Sequence, residues 1–187
     1  MPLVRRDPPR PHESTGVSAA VPAPRDLTGA ADDLGNALEA EKDPRAREAI
    51  LTALLAIADP SAAAALARHL RSEDASLRNA CIEALQAMPA AASSVLPSLL
   101  ADADADVRLL ATEIVRTQPT EAANGMLASL LERETHPNVC GAAVEVLAEV
   151  GTSDAVPSLR AARTQFSSEA FLPQAIDTVL ARLGSGR

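Results

Sequence analysis

Asp104-Ala105-Asp106-Val107-Arg108-Leu109-Leu110-Ala111 is a stretch that the chain writes in five versions, the others beginning at Asp43, Asp74, His136 and Ser168. The steps between them are 31, 30, 32 and 32 residues. A fixed period of this size is the mark of a solenoid, in which each repeat is one supersecondary unit that buries its apolar face against its neighbours.

Composition agrees with a helical unit. Hydrophobic residues make up 47% of the 187 positions but aromatics only 1%, so the core must be Ala, Leu, Val and Ile. Small aliphatic side chains favour close-packed helices, whereas strands draw on aromatic and β-branched residues. The expectation is an all-α chain, an α-solenoid of about five antiparallel helix pairs.

Working outward from the quoted stretch, residues 1–25 carry prolines at 2, 8, 9, 11, 22 and 24 and few large apolar residues. A segment of that kind buries too little surface to offset its ordering entropy, so it reads as a disordered tail. Pro8-Pro9-Arg10-Pro11 is open to two readings, a polyproline recognition motif or part of a plain leader. Residues 26–187 read as the solenoid domain.

The first pair opens with Leu27, Ala30, Ala31, Leu34, Ala37 and Leu38 on one helical face. Asp43-Pro44 then supplies a capping carboxylate and a proline at the first helical position. The later pairs read as Ser61–Arg71 with Ala75–Met88, Val95–Ala101 with Ala105–Gln118, Pro119–Glu134 with Pro137–Val150, and Ala155–Gln165 with roughly Ser168–Leu183. Asp74 and Asp104 are the expected caps, His136 a substitute for one, and Gly151 and Gly184 the stops. With Ser94 and Asp154 as N-caps, Pro97 and Pro157 fall in the first turn, where no intrahelical N–H bond is lost. Pro173 leaves two possibilities: a last helix that begins near Leu172, or one kinked at the proline.

These residues resemble the HEAT repeat family, in particular the short-repeat class of phycobilisome-lyase-like proteins. The resemblance rests on Val95-Leu96-Pro97-Ser98-Leu99-Leu100 and Ala155-Val156-Pro157-Ser158-Leu159 for first helices and on Asp104 through Ala111 for the second. It covers about residues 26–183. It implies a HEAT-like superhelix, an interaction scaffold or adaptor rather than an enzyme, and second helices that line the concave surface. It also implies that Arg47, Arg78 and Arg108 form a structural ladder with the capping Asp43, Asp74 and Asp104, pairing between neighbouring repeats.

Stacking the five second helices gives columns. Ala46, Leu77, Val107, Val139 and Phe171 start each core face, and the next column runs Arg47, Arg78, Arg108, Cys140, Leu172. Three further columns share the opposite face at 3.6 residues per turn. They are Glu48, Asn79, Leu109, Gly141, Pro173; then Thr52, Glu83, Glu113, Glu145, Asp177; then Leu55, Gln86, Arg116, Ala148, Leu180. Four carboxylates in register make this face the candidate binding site, with Glu83, Glu113, Glu145, Asp177, Leu109, Asn79 and Arg116 as its residues. A solvated helix face is often acidic too, but register and interspersed leucines point to a partner.

Charge narrows the partner. The chain carries −8 overall; residues 1–25 hold four arginines against two carboxylates, leaving −10 on the rest. An acidic body repels phosphate backbones and suits a basic or mixed protein segment. No nucleic acid and no membrane partner is expected, and no cofactor. The absence of an apolar leader and of an 18-residue apolar run makes a cytoplasmic location the default.

Catalytic chemistry finds little footing. His12, His69 and His136 have no i, i+4 partner for a metal site. Iron-binding HEAT-type hydroxylases use His-Glu pairs on helices, and the only such dipeptide here is His12-Glu13 in the tail. Cys81 and Cys140 lie two repeats apart, too far for a disulfide, and read as inert core thiols. The basic, aromatic groove of the DNA-glycosylase branch has no counterpart, since Phe166 and Phe171 are the only aromatics. Both are expected to fill the exposed end of the stack. Two alternative roles stay open: lyase- or chaperone-like handling of a tetrapyrrole, and a structural protein that assembles through its array ends.

Overall fold

A computed structural model describes residues 27–184. The tail assigned to residues 1–25, with its Pro8-Pro9-Arg10-Pro11 motif and His12, lies outside the described residues. Eleven α-helices and two 3-10 turns make up the described chain, with no strand.

The repeats stack as two layers. The second helices α2 (Pro44–Ile57), α4 (Ala75–Ala87), α7 (Ala105–Val115), α9 (Pro137–Val150) and α11 (Leu172–Gly184) pack each against the next. The first helices are α1 (Leu27–Ala40), α3 (Pro60–Ala67) with a 3-10 turn, α5 (Pro89–Ala92) with α6 (Leu96–Leu99), α8 (Thr120–Leu131) and α10 (Val156–Gln165). This is an all-α solenoid of five helix pairs. Its core is one continuous cluster of Ala, Leu, Val and Ile, from Ala31 to Val179.

Caps set the starts of the second helices. Asp43 accepts from the N–H groups of Arg45 and Ala46, Asp74 from Leu77, and Asp104 from Asp106. Each carboxylate satisfies donors that a helix N-terminus cannot bond internally. His136 occupies the cap position of α9 without a side-chain cap bond. Gly151 is the C-cap of α9. The end of α2 differs: its C-cap, Ala58, sits in the left-handed region at φ 49.

Where α1 crosses the second repeat, Gly35 lies close against α3 and the turn that follows it. A Cβ on Gly35 would displace the end of the Arg68 side chain and stand 3.0 Å from the Ala65 Cβ. The carbonyl of Gly35 meets Nε2 of the buried His69 at 3.0 Å. Close approach and a buried hydrogen bond thus share one position.

Four expectations need correction. Ser94 and Asp154 are not N-caps: α6 and α10 start from Val95 and Ala155, both already in right-handed helical conformation. Helical turns feed directly into these short helices, leaving no extended residue to act as a cap. The first helix of the third repeat is not one element from Val95 but two, α5 and α6. Pro97 has no N–H to donate to the Ser93 carbonyl, and the hydroxyls of Ser93 and Ser94 bond back to the carbonyls of Ala90 and Ala91. The last helix does not start near Ser168; of the two possibilities left open at Pro173 the first holds, the helix beginning at Leu172 with Pro173 in its first turn. Phe171, placed in the buried column, is 83% exposed, whereas Phe166 is buried. Because α11 starts only at Leu172, Phe171 precedes the helix and its ring is left outside the core that Leu172 enters.

Candidate functional site

The arginine column carries the loops between paired helices. Arg47 donates to the carbonyl of Glu41 at 2.8 Å, Arg78 to that of Ser72 at 2.5 Å, and Arg108 to that of Asp102 at 2.8 Å. Each arginine therefore ties the loop that precedes its own helix, six residues back. Two of them also reach the next repeat. Arg47 bonds Asp74 at 2.7 Å, and Arg108 bonds both oxygens of Glu134 at 2.8 Å. Arg78 makes no such reach; between the second and third repeats Arg71 pairs with Asp102 instead. Asp104 caps its helix without an arginine partner.

A column absent from the sequence reading explains the loops further. Glu41, Ser72, Asp102 and Glu134 each accept, through the side chain, the N–H of the residue two positions on: Asp43, Asp74, Asp104 and His136. The signal was in the same alignment, two places before each cap. Glu134 is the member with most at stake, since it is 2% exposed. Burial disfavours its charge, but the Arg108 fork and the N–H groups of His136 and Thr135 outweigh that and hold the carboxyl below its usual range. Arg47 lowers Asp74 in the same sense.

On the outward side of the second-helix layer, the predicted residues do not form a uniform acidic surface. Glu113 lies 3.3 Å from Arg116, one turn along α7, and Arg116 also pairs with Glu149 on α9. Hydrogen bonding to Glu149, with Glu113 and Glu145 nearby, raises the pKa of Arg116. Asp177 is engaged by Arg163 of α10 at 2.5 and 2.8 Å, which lowers its pKa. Glu83 and Glu145 are exposed and make no ion pair among the described residues. Asn79 is exposed, and Leu109 is half-buried. Leu109 borders a groove of about 310 Å³ together with Arg71, Arg78, Asp104 and Asp106. The structure therefore gathers Glu113, Arg116 and Glu145 around one charge cluster, leaves Glu83 alone, and turns Asp177 toward α10.

Neither thiol belongs to this surface. Cys81 and Cys140 are fully buried, and burial pushes both up to about 12. Among the described residues no group of three or more His, Cys, Asp or Glu is placed to hold a metal ion. No helix among them is long and apolar enough to cross a membrane.

Residues 92–170 match the family model described as HEAT repeats, in accord with the two-layer stack. The match runs from the end of α5 to the turn before α11. No curated protein and no solved structure matches the chain.

Proposed function

We propose that this chain is a non-enzymatic interaction scaffold that holds a basic or mixed segment of another protein on the outward face of its second helices. One observation carries the reading: Glu83 and Glu145 stand exposed and unpaired in one column of that layer. Asn79, Leu109 and Arg116 flank them, and Glu113 and Asp177 complete the row in ion-paired form. Unpaired carboxylates beside half-buried leucines offer electrostatic steering together with an apolar anchor.

The test is the double reversal Glu83→Lys with Glu145→Lys. Neither side chain makes an ion pair or a side-chain hydrogen bond among the described residues, and Glu145 acts on Arg116 only through its nearby exposed charge, so stability should stay within about 1 kcal/mol of wild type. Affinity capture from native lysate should lose the partner that wild type retains, and wild-type capture should weaken with salt. Equal capture by both proteins would overturn the assignment. Titration with bilin or heme separates this role from the tetrapyrrole handling that the phycobilisome-lyase resemblance implies, since only the latter expects a saturable absorbance change.

A second reading has its own observation. Phe171, at 83% exposure, lines a groove of about 430 Å³ with Pro137, Gly141, Ala170 and Ala175 near the end of the stack. Assembly through that end predicts concentration-dependent association that Phe171→Ser abolishes.

A further inference from the structure

The first-helix layer is interrupted at one seam. α1 packs along α3 and α8 along α10, but neither α5 nor α6 packs along α8 in that way. The break at Ser93 and Pro97 is the cause, because two four-residue helices replace one long one. One face of α8 is left without a helix over it.

Two grooves run along that face. The first, about 530 Å³, lies between Pro89, Ala90 and Ser93 on one wall and Pro119, Thr120 and Ala122 on the other. The second, about 590 Å³, lies between Pro97, Leu100 and Ala101 on one side and the α8 residues Gly125, Met126 and Ser129, with Arg133 in the turn after α8, on the other. Positions 122, 125, 126 and 129 share one face of α8 and Arg133 follows in the turn after it, so the two grooves lie in line along a trough-like track of about 17 Å at 1.5 Å per residue. A helix of about three turns fills such a length.

Gly125 is the second observation. It lies inside α8, where glycine is the poorest helix former after proline, yet a Cβ there would meet nothing within 4 Å. That side of α8 is open and carries no side chain at Gly125, which leaves the helix backbone approachable there.

Charge identifies the occupant's chemistry. The residues lining both grooves carry a single charge, Arg133. It donates to the carbonyls of Ser129 and Leu100 and has no carboxylate partner. Of the acids that share a pocket with it, Asp102 is engaged by Arg71 and Glu134 by Arg108, while Glu132, next to it in the chain, is exposed and makes no ion pair with it. We infer that the trough between α5–α6 and α8 receives an amphipathic helix of a partner protein, its apolar face laid on Ala122, Gly125 and Met126 and an acidic residue set against Arg133. Helix-in-groove recognition of this kind reads anchors at i, i+3, i+4 and i+7. The surface lies on the other layer from Glu83 and Glu145, so this inference and the proposed function stand or fall separately.

The test uses the full chain and a fluorescein-labelled 14-residue helical peptide. The peptide has leucines at i, i+3, i+4 and i+7 and two glutamates in its last turn; a control carries lysines in place of the glutamates. Anisotropy should show saturable binding of the acidic peptide and roughly tenfold weaker binding of the control, as expected for one reversed charge contact. Arg133→Glu should invert that preference, and Gly125→Leu should abolish binding of both peptides while melting stays cooperative. Absence of saturable binding, equal affinity for the two peptides, or indifference to Arg133→Glu would each overturn the inference. Self-association of the chain that Gly125→Leu removes would assign the trough to a second copy and overturn it as well.

Discussion

His69 shows how one buried side chain sets a pH dependence. Burial holds its imidazole below the usual value of 6.5, the Gly35 carbonyl and Glu39 pulling upward and Arg68 adding to the depression. The folded chain therefore binds fewer protons there than the unfolded chain. Stability is fully present above about pH 6.5 and declines as pH falls from that point toward the folded value, by at most about 1.4 kcal/mol per pH unit. Denaturant titrations between pH 7 and 5 should show that slope. His69→Gln, which can still donate to Gly35, should flatten it without changing the acid limb below about pH 4.5, where Glu134 and Asp74 lose their charge. At this scale the sequence was legible wherever a residue repeats. The capping aspartates and the arginine column follow from the 31-residue spacing. Glu134 was missed because its column mixes Glu, Ser and Asp, so the common role, accepting the cap residue's N–H, is hidden by changing side chains. Asp177 was placed on the open face because periodicity gives an angle around a helix and says nothing about a neighbour such as Arg163 reaching in from the side.

Helix starts were readable and helix interruptions were not. An aspartate before a helical run has one strong use, and Asp43, Asp74 and Asp104 all serve it. Ser93, Ser94 and Pro97 have two uses, starting a helix or breaking one, and local sequence does not rank them. The neighbouring turns decide, and here they break it. The end of α2 offers a direct check on element-level energetics. Ala58 holds φ at 49, a conformation that costs an L-residue about 1 kcal/mol and glycine nothing. Ala58→Gly should raise unfolding free energy by about 0.5–1 kcal/mol despite the greater freedom it gives the unfolded chain. An unchanged or lowered value in urea titrations would mean that the cap is not left-handed in solution.

At the scale of the whole molecule, the period in the sequence carried the architecture. It did not carry the charge map. Four carboxylates in register suggested a continuous acidic strip, but Arg116 and Arg163 neutralise two of them, because side chains from neighbouring turns and helices enter the same surface. The clasp of Arg108 on Glu134 is the more buried of the two ion pairs that link the third and fourth repeats, the other being Arg116 with Glu149. Glu134→Gln keeps an acceptor for the Thr135 and His136 N–H groups but leaves Arg108 without its counter-charge. The expected loss is about 3 kcal/mol, the low end for a broken buried pair because Arg108 keeps some access to water.

That clasp crosses the seam where the first-helix layer is interrupted, and the coincidence bears on how the stack comes apart. In a linear array, each unit is held by its own stability and by its coupling to the unit on either side. Elsewhere two layers supply the coupling. Between the third and fourth repeats the α7–α9 contact and the clasp supply most of it. Weakening that junction should uncouple a three-repeat block from a two-repeat block. Wild type should unfold in one transition, and Glu134→Gln in two, with hydrogen exchange assigning the earlier one to residues beyond α7. A single, merely shifted transition would show that α7–α9 packing alone keeps the array one cooperative body.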